Sequence, residues 1–239
     1  MTAVDVDWGE RGLARLLDSV EAIAIVDVLS FSTCVSVAAD RGIAIYPVGS
    51  SRDGADLAAR LGARLARRRT DAGPGDVSLS PASLRSTSPG GAVVLPSPNG
   101  SALSALASAR PGVAVYAGCL RNRRAVAMAL AGFSRVGIVA AGERWPDDSL
   151  RPAIEDWLGA GALVDALADA LPTAEAELAR TSFRAAKADL ARLMVDSLSG
   201  RELTAEGHAG DVAVAAELDG SDLAPRLTAG AYKPQAVRR

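Results

Sequence analysis

Short apolar runs rich in Val and Ile alternate along the chain with alanine- and leucine-rich stretches of helical spacing. Fully apolar runs of this length are typical of buried strands in a parallel sheet. Strands are predicted at 22–28, 43–48, 92–95, 113–117 and 135–140, with at most one more near 77–79. The alternation predicts an α/β fold, a three-layer α/β/α sandwich built on a mostly parallel mixed sheet.

Helical spacing fills most of the sequence between and after these strands. In the first part of the chain it predicts helices at 32–41, 51–68, 101–109 and 122–131. From Pro152 onward it is nearly continuous and predicts a helical C-terminal third, with helices at 153–171, 174–197, 200–206 and 211–218. We expect a single domain over 1–239, with a subdivision near 150 as an option.

Residues 70–91 interrupt the alternation, because they are rich in Gly, Pro, Ser and Asp and have few apolar anchors. This composition predicts a long loop. Loops of this length inside a compact domain are usually functional or mobile.

The composition excludes several chemistries. His208 is the single histidine, and Cys34 and Cys119 are the two cysteines, so neither a two-histidine phosphatase site nor a multi-histidine or four-thiolate zinc site can form. The 26 basic and 28 acidic side chains give a net charge of −2, which does not favour nucleic acid as a partner. Chemistry is therefore left to carboxylates, hydroxyls, amides, arginine and a hard metal ion held by oxygen.

Nothing in the sequence predicts a membrane partner. The longest apolar runs are far shorter than the roughly 20 residues that a membrane-spanning helix needs. The first eight residues contain acids where a signal peptide would have a basic region. We therefore expect a cytoplasmic protein. The oligomeric state is left open, with a homodimer as one option.

Asp27 is the first candidate functional residue, because it ends a predicted strand and is followed by Ser30, Ser32 and Thr33 before a helix. A carboxylate and hydroxyls at the carboxyl end of a strand are typical of the place where α/β folds bind anions and metals. The alternative, which the sequence leaves open, is that Ser30 or Ser32 only caps the helix.

The second candidate is the segment 95–101, which again lies between a strand and a helix. Ser97, Asn99 and Ser101 offer hydrogen bonds, and Gly100 permits close backbone approach, so this loop could cradle a phosphate. Because Asn-Gly is also a common tight-turn signal, a plain turn is the alternative.

The third candidate is the acidic segment that follows the strand at 135–140. It contains Asp147 and Asp148, which fit a solvated loop, and Glu155 and Asp156 at the start of the next helix. Adjacent helical residues lie about 100° apart, so we expect at most one of this pair to face a site shared with Asp27. An ordinary acidic first turn is the alternative.

A basic cluster ends the predicted helix 51–68. Its members are Arg64, Arg67, Arg68 and Arg69. It could attract an anionic substrate, although a solvated helix end is the favoured account.

Taken in order, segments spread over most of the chain resemble the 2-phosphosulfolactate phosphatases, the ComB-like family associated with coenzyme M biosynthesis. The segments that carry this resemblance are Asp27-Val-Leu-Ser-Phe-Ser-Thr33, Ser80-Pro81, Ser97-Pro-Asn-Gly-Ser101, Gly118-Cys-Leu-Arg-Asn122, Ala141-Gly142, Glu155-Asp156, Ala160-Gly161, Ser199-Gly-Arg-Glu-Leu203 and Gly210-Asp-Val212. The ordered set is specific, although no single segment is.

The resemblance implies a Mg²⁺-dependent phosphomonoesterase that acts on 2-phosphosulfolactate or a related small phosphorylated hydroxy acid. A site poor in His and Cys agrees with a hard ion that takes oxygen ligands. Catalytic roles then fall to Asp27, Asn99 and Glu155, and metal binding to Asp27 with Glu155 or Asp156. The residues expected to bind substrate or phosphate are Ser30, Ser32, Thr33, Ser97, Gly100, Ser101 and Asn122.

Two positions depart from the family pattern, since Ser30 and Ala102 stand where the family has arginine. Phosphate recognition depends on arginine, so the loss of both should weaken or redirect binding unless the cluster at 67–69 compensates. A catalytically silent protein that binds an anionic metabolite or a protein partner is therefore the alternative to an active phosphatase.

Overall fold

The centre of the fold is a large sheet, seen in a computed structural model that describes residues 1–73 and 75–235. In chain order the strands of the described residues are β1 (Thr2–Trp8), β2 (Ala22–Val26), β3 (Ala44–Val48), β4 (Arg64–Leu65), β5 (Ala92–Pro96), β6 (Ala114–Gly118), β7 (Arg135–Ala140), β8 (Glu143–Arg144), β9 (Leu150–Arg151), β10 (Ala170–Pro172), β11 (Arg226–Thr228) and β12 (Ala231–Lys233).

Ten of these strands form one mixed sheet in the order β10-β1-β7-β2-β6-β11-β12-β3-β5-β4. Two parallel blocks, β10 to β6 and β3 to β4, are joined by the antiparallel hairpin β11–β12. β2 lies inside the first block, where Ala22 pairs with Val136 of β7 and Ala114 of β6. The small antiparallel pair β8–β9 stands apart from this sheet.

Helices cover both faces of the sheet. In chain order those of the described residues are α1 (Gly9–Leu17), α2 (Phe31–Asp40), α3 (Ser51–Leu61), α4 (Pro81–Ser86), α5 (Gly100–Ser108), α6 (Arg123–Leu130), α7 (Ile154–Ala166), α8 (Ala174–Ala186), α9 (Leu190–Asp196), α10 (Leu198–Ala205) and α11 (Ala209–Ala215).

The core is divided by the sheet into two apolar layers. Successive residues of β2 point to opposite faces, so Val26 packs with α6, α7 and α8 while Ile25 packs with α1, α2 and α5. Burial on both faces explains why β2 reads as a continuous apolar run. The three-layer α/β/α sandwich and its mostly parallel mixed sheet are confirmed, as is the helical C-terminal third.

Several predicted bounds were wrong for local reasons. The predicted helix 51–68 ends at Leu61, because Gly62 adopts the left-handed conformation with φ 59° and turns the chain into β4. The predicted loop 70–91 contains α4, which begins where the Ser80 hydroxyl accepts a hydrogen bond from the Ser83 amide. The short strand expected near 77–79 is a single bridge between Arg67 and Ser78.

Other elements were missed or merged. The helix predicted at 153–171 ends at Ala166, and the chain goes on to form β10 beside β1. The helix predicted at 174–197 is divided into α8 and α9 by a 3₁₀ turn at Lys187–Asp189. β1, α1 and the hairpin β11–β12 were not predicted. Among the described residues, no helix is both long enough and apolar enough to cross a bilayer.

Candidate active site

Asp27 follows β2 directly and lies at the carboxyl edge of the first parallel block. The residue is only 4% exposed. Its Oδ1 accepts a 3.0 Å hydrogen bond from the Phe31 amide, and its Oδ2 accepts one of 2.8 Å from the Gly100 amide. Asp27 thereby ties the start of α2 to the start of α5, and two sequence-predicted segments meet at one carboxylate.

Gly100 is required for this approach. A Cβ on it would lie 2.8 Å from Oδ2 of Asp27 and closer still to the ring of Phe31. Those separations are too short for a real Cβ, so any side chain at position 100 would push the two loops apart. The Asn-Gly pair here begins a helix and is not the plain turn that was the alternative.

Three hydroxyls follow Asp27, and two of them serve the backbone. Ser32 donates to the Ile25 carbonyl over 2.9 Å, and Thr33 donates to the Val28 carbonyl over 2.7 Å; both residues are fully buried. Ser30 is the N-terminal cap residue of α2, yet its hydroxyl makes no capping hydrogen bond. Instead it accepts a 2.7 Å hydrogen bond from Nη2 of Arg69.

The loop at 97–101 is held by its own side chains. Ser97 accepts from the Asn99 amide over 3.3 Å, and Ser101 donates to the Leu95 carbonyl over 2.9 Å. Asn99 points away from these bonds and donates from Nδ2 to Oε2 of Glu143 over 2.8 Å. The loop lies beside Asp27, because the Gly100 amide donates to that carboxylate, while the contact of the loop with phosphate stays a prediction.

Glu143 is a site residue that the sequence reasoning passed over in favour of its acidic neighbours. The pKa of its carboxyl is raised from 4.5 to about 7, mainly by burial and then by the charges of Asp27 and Glu155, while the Asn99 hydrogen bond and Arg151 act in the opposite direction. The available signal was its position directly after β7 and Ala141-Gly142. Asp147 and Asp148 are exposed, as expected for a solvated loop.

Glu155 and Asp156, in the first turn of α7, are both buried near Asp27, where at most one was expected. Oδ1 of Asp156 accepts from the Val28 amide over 2.7 Å, and Oδ2 accepts from the Gly142 amide over 2.8 Å. Asp156 therefore joins the loops that follow β2 and β7. Within the described residues, the carboxylate of Glu155 has no hydrogen-bond donor.

The pKa values of Asp27 and Asp156 are both raised, first by burial and then by neighbouring negative charge. Burial raises the pKa of Asp27, and the charge of Glu155 adds to it, although two backbone hydrogen bonds and Arg69 oppose the shift. Burial, followed by the charges of Asp27 and Glu155, raises the pKa of Asp156 well above its usual range. Burial and the neighbouring charges therefore disfavour the ionised forms of Asp27 and Asp156 more than their backbone hydrogen bonds favour them.

Asn122 makes its hydrogen bonds to the backbone around it. Its Oδ1 accepts from the Cys119 amide over 2.8 Å, and its Nδ2 donates to the Ala117 carbonyl over 3.1 Å. The residue is fully buried in the turn after β6. The structure gives it a role in holding that turn, and its contact with substrate stays a prediction.

Of the arginine cluster, Arg69 alone turns inward. Its side chain is 18% exposed and reaches Ser30, whereas Arg64, Arg67 and Arg68 are exposed. A positive charge thus stands beside the position at which the family arginine is missing. The local sequence could not show which arginine contacts Ser30, because the three other arginines of the cluster carry the same charge.

A cavity of about 470 Å³ borders the site at Asn99 and Glu143, and its lining does not include Asp27, Glu155 or Asp156. Its wall combines apolar and charged side chains, contributed by α1, α5 and the hairpin β8–β9. The lining residues are Trp8, Gly9, Glu10, Arg11, Asn99, Leu103, Ala141, Glu143, Arg144, Asp148, Ser149 and Leu150. This volume suits a small molecule.

The fit of the site to a metal ion depends on which carboxylate oxygens are free. In residues 1–73 and 75–235, no group of three or more His, Cys, Asp or Glu side chains is arranged to hold a metal ion. Asp27 and Asp156 already accept two backbone amides each, while Glu155 accepts none. Mg²⁺ commonly takes one or two carboxylates with substrate phosphate and water, and the donor set fits it in that shared form.

An α/β sheet with polar groups converging at the carboxyl ends of its strands, beside a small-molecule cavity, is the arrangement of an enzyme site. The sequence profile of the 2-phosphosulpholactate phosphatase family matches residues 14–230 of the 239. The chain belongs to this family and is a phosphatase, a phosphoric monoester hydrolase. A comparison with curated proteins gave no match.

Proposed function

We propose that this phosphatase is Mg²⁺-dependent and hydrolyses 2-phosphosulfolactate, or a related small phosphorylated hydroxy acid, to the free hydroxy acid and inorganic phosphate. The observation that carries the proposal is the group of carboxyls at the strand ends, of which Asp27, Glu155 and Asp156 are buried and Glu143 is partly buried. Arg69 and Arg151 oppose their charge.

The charge balance supports a divalent cation at this edge of the sheet. Buried carboxylates without compensating charge are costly, and they are retained in proteins when they bind a cation or take up a proton. A substrate phosphate would add further negative charge at the same place. When bound, Mg²⁺ would offset both charges and bridge the phosphate oxygens.

We assign the metal to Glu155 first, because its oxygens have no described donor, and to Asp27 second. Asp156 is the weakest of the three predicted metal ligands, since its two oxygens hold the Val28 and Gly142 amides. On the same proposal, Ser97, Asn99 and Ser101 face the phosphate, and Glu143 lines the cavity beside Asn99. Water or a side chain could supply the attacking oxygen.

Retention of these carboxyls argues against the alternative of a catalytically silent protein. A chain that only binds an anion gains nothing from several buried acids, because they repel that anion. The loss of the family arginines at Ser30 and Ala102 had favoured a catalytically silent protein. Arg69, however, places a positive charge beside Ser30.

Phosphate release tests the proposal. The substrates are racemic 2-phosphosulfolactate and a panel of phosphorylated hydroxy acids, each with magnesium and with EDTA. We expect turnover that EDTA abolishes and magnesium restores, fastest on substrates that carry a second acidic group. A folded protein that releases no phosphate from any of them would favour the silent alternative, and EDTA-resistant turnover would remove the metal from the proposal.

Four properties of the protein stay predictions from its sequence: the cytoplasmic location, the setting in coenzyme M biosynthesis, the organisation as one domain over 1–239 and the option of a homodimer. Size measurement of the purified protein tests the last of these.

A further inference from the structure

Arg69 is held in a fixed position beside Ser30 and near Asp27. Its Nη2 donates to the Ser30 hydroxyl over 2.7 Å, and its Nε lies 3.3 Å from Oδ2 of Asp211. A guanidinium carries five N–H donors, so two bonds leave three of them. In the part of the chain that the structure describes, Nη1 has no protein acceptor, although the side chain remains 18% exposed.

Asp211 fixes this arginine from behind. It is 2% exposed, and its Oδ1 accepts hydrogen bonds from the Ser80 hydroxyl over 2.6 Å and the Ala82 amide over 3.1 Å. The carboxylate is thus anchored to the start of α4 while its other oxygen orients Arg69. Two segments quoted for their sequence pattern, 80–81 and 210–212, meet at this one interaction.

The positive charge of Arg69 acts on Asp27, since it opposes the rise in the pKa of that carboxyl. A guanidinium that is partly exposed, has free N–H groups and is oriented by a buried carboxylate can donate two parallel hydrogen bonds to an oxyanion. On this geometry, and resting on the proposed function, we propose that Arg69 and the Ser30 hydroxyl bind the phosphate group of the substrate, with Asp211 as the residue that positions Arg69.

Calorimetric titration with inorganic phosphate, in the presence of magnesium, tests the site without turnover. Removal of Arg69 alone would leave Asp211 buried and unpaired, so the informative variant is Arg69→Gln combined with Asp211→Asn. Arg68→Gln is the matched control, because it removes an exposed arginine one residue away. We expect the double variant to weaken phosphate binding roughly 10- to 100-fold, and the control to leave it unchanged.

Kinetics on the substrate then separate positioning from general damage. Asp211→Asn keeps an oxygen for Ser80 and Ala82 but removes the charge that orients Arg69, so KM should rise with little change in kcat. Arg69→Lys should bind phosphate more tightly than the double variant, since the charge returns without the two parallel N–H donors. Circular dichroism confirms that each variant is folded.

The two proposals fail differently. If the wild-type protein hydrolyses nothing in the panel but binds phosphate through Arg69, the proposed function fails and the phosphate site stands. Equal phosphate binding by the double variant and Arg68→Gln would overturn the site, as would a wild-type protein that binds no phosphate at millimolar concentration. A fall in kcat without a change in KM in Asp211→Asn would remove the positioning role.

Discussion

Nδ2 of Asn99 donates a 2.8 Å hydrogen bond to Oε2 of Glu143, and this bond joins the start of α5 to the hairpin β8–β9. Both residues line the cavity. The amide stabilises the charged form of Glu143, but burial and the neighbouring acids prevail, and the pKa is raised to about 7. Glu143 therefore changes charge close to neutral pH.

The shift in Glu143 should make the protein less stable as the pH rises. Between pH 4.5 and about 7 the folded protein holds this proton and the unfolded chain does not, so the free energy of unfolding falls across that window. Above about pH 7 the contribution is lost and the slope ends. Urea unfolding of the metal-free protein at a series of pH values measures the slope.

Glu143→Gln should reduce the slope of the same curve, because glutamine does not titrate, and Asp27 and Asp156, whose pKa values are also raised, should account for the slope that remains. Glu206→Gln, which changes an exposed acid on the end of α10, is the control and should leave the slope as it is. A wild-type stability that does not change between pH 5 and about 7 would contradict the raised pKa.

Asp27→Asn should lower the rate of phosphate release by roughly 100-fold or more, since it removes a buried charge from the proposed metal and phosphate edge. Asparagine also turns one oxygen into a donor that would face the Phe31 or Gly100 amide, so the fold should be checked by circular dichroism. Asp147→Asn, an exposed acid, is the control. Wild-type activity in Asp27→Asn would remove Asp27 from the metal site.

Gly100→Ala should destabilise the protein by about 1–3 kcal/mol and slow catalysis, because the added Cβ would meet Asp27 and the Phe31 ring. Gly49→Ala is the matched control, since a Cβ there has nothing within 4 Å. Urea midpoints and initial rates measured side by side compare the two. Equal stability and activity of both variants would show that the loops of α2 and α5 can separate without cost.

Substitutions should show that Asp156 has a structural role and that Glu155 has a chemical one. Asp156→Ala leaves the buried Val28 and Gly142 amides without an acceptor and should cost about 2 kcal/mol or more of stability. Glu155→Gln removes no described hydrogen bond, so stability should hold while magnesium-dependent activity is lost. The reverse pattern, stable Asp156→Ala with active Glu155→Gln, would contradict this division.

How much of the fold the sequence predicted depended on how strongly each element is patterned. The strand at 135–140 was placed with its observed bounds, since a fully apolar run has one interpretation in a sheet buried on both faces. β1 was missed, because its alternate positions include Asp5 and Asp7, which Arg15 pairs at the surface. β10 was predicted as the end of the helix 153–171, because three residues are too few to show the alternation of apolar and polar positions that identifies a strand.

The site was predicted in outline and not in its contacts. Asp27, Asn99 and Glu155 were found because each lies at a strand end or a helix start, where a parallel fold gathers polar groups. Glu143 was passed over, because it shares one acidic stretch with Asp147 and Asp148 and only its place directly after β7 and Ala141-Gly142 distinguishes it in the sequence. Burial divides them, and burial depends on the position of the hairpin β8–β9 and not on residue type.

The sequence by itself determined the α/β class, the exclusion of a two-histidine phosphatase site and of a multi-histidine or four-thiolate zinc site, and the segments that supply the acids. Its periodicity reports which face of an element is apolar, and its composition reports which ligands exist. Only the tertiary structure decided which of four clustered arginines reaches Ser30, and that Asp211, 142 residues from Arg69 in the chain, holds it there. Such pairings are set by the packing of distant segments, and local pattern carries no information about them.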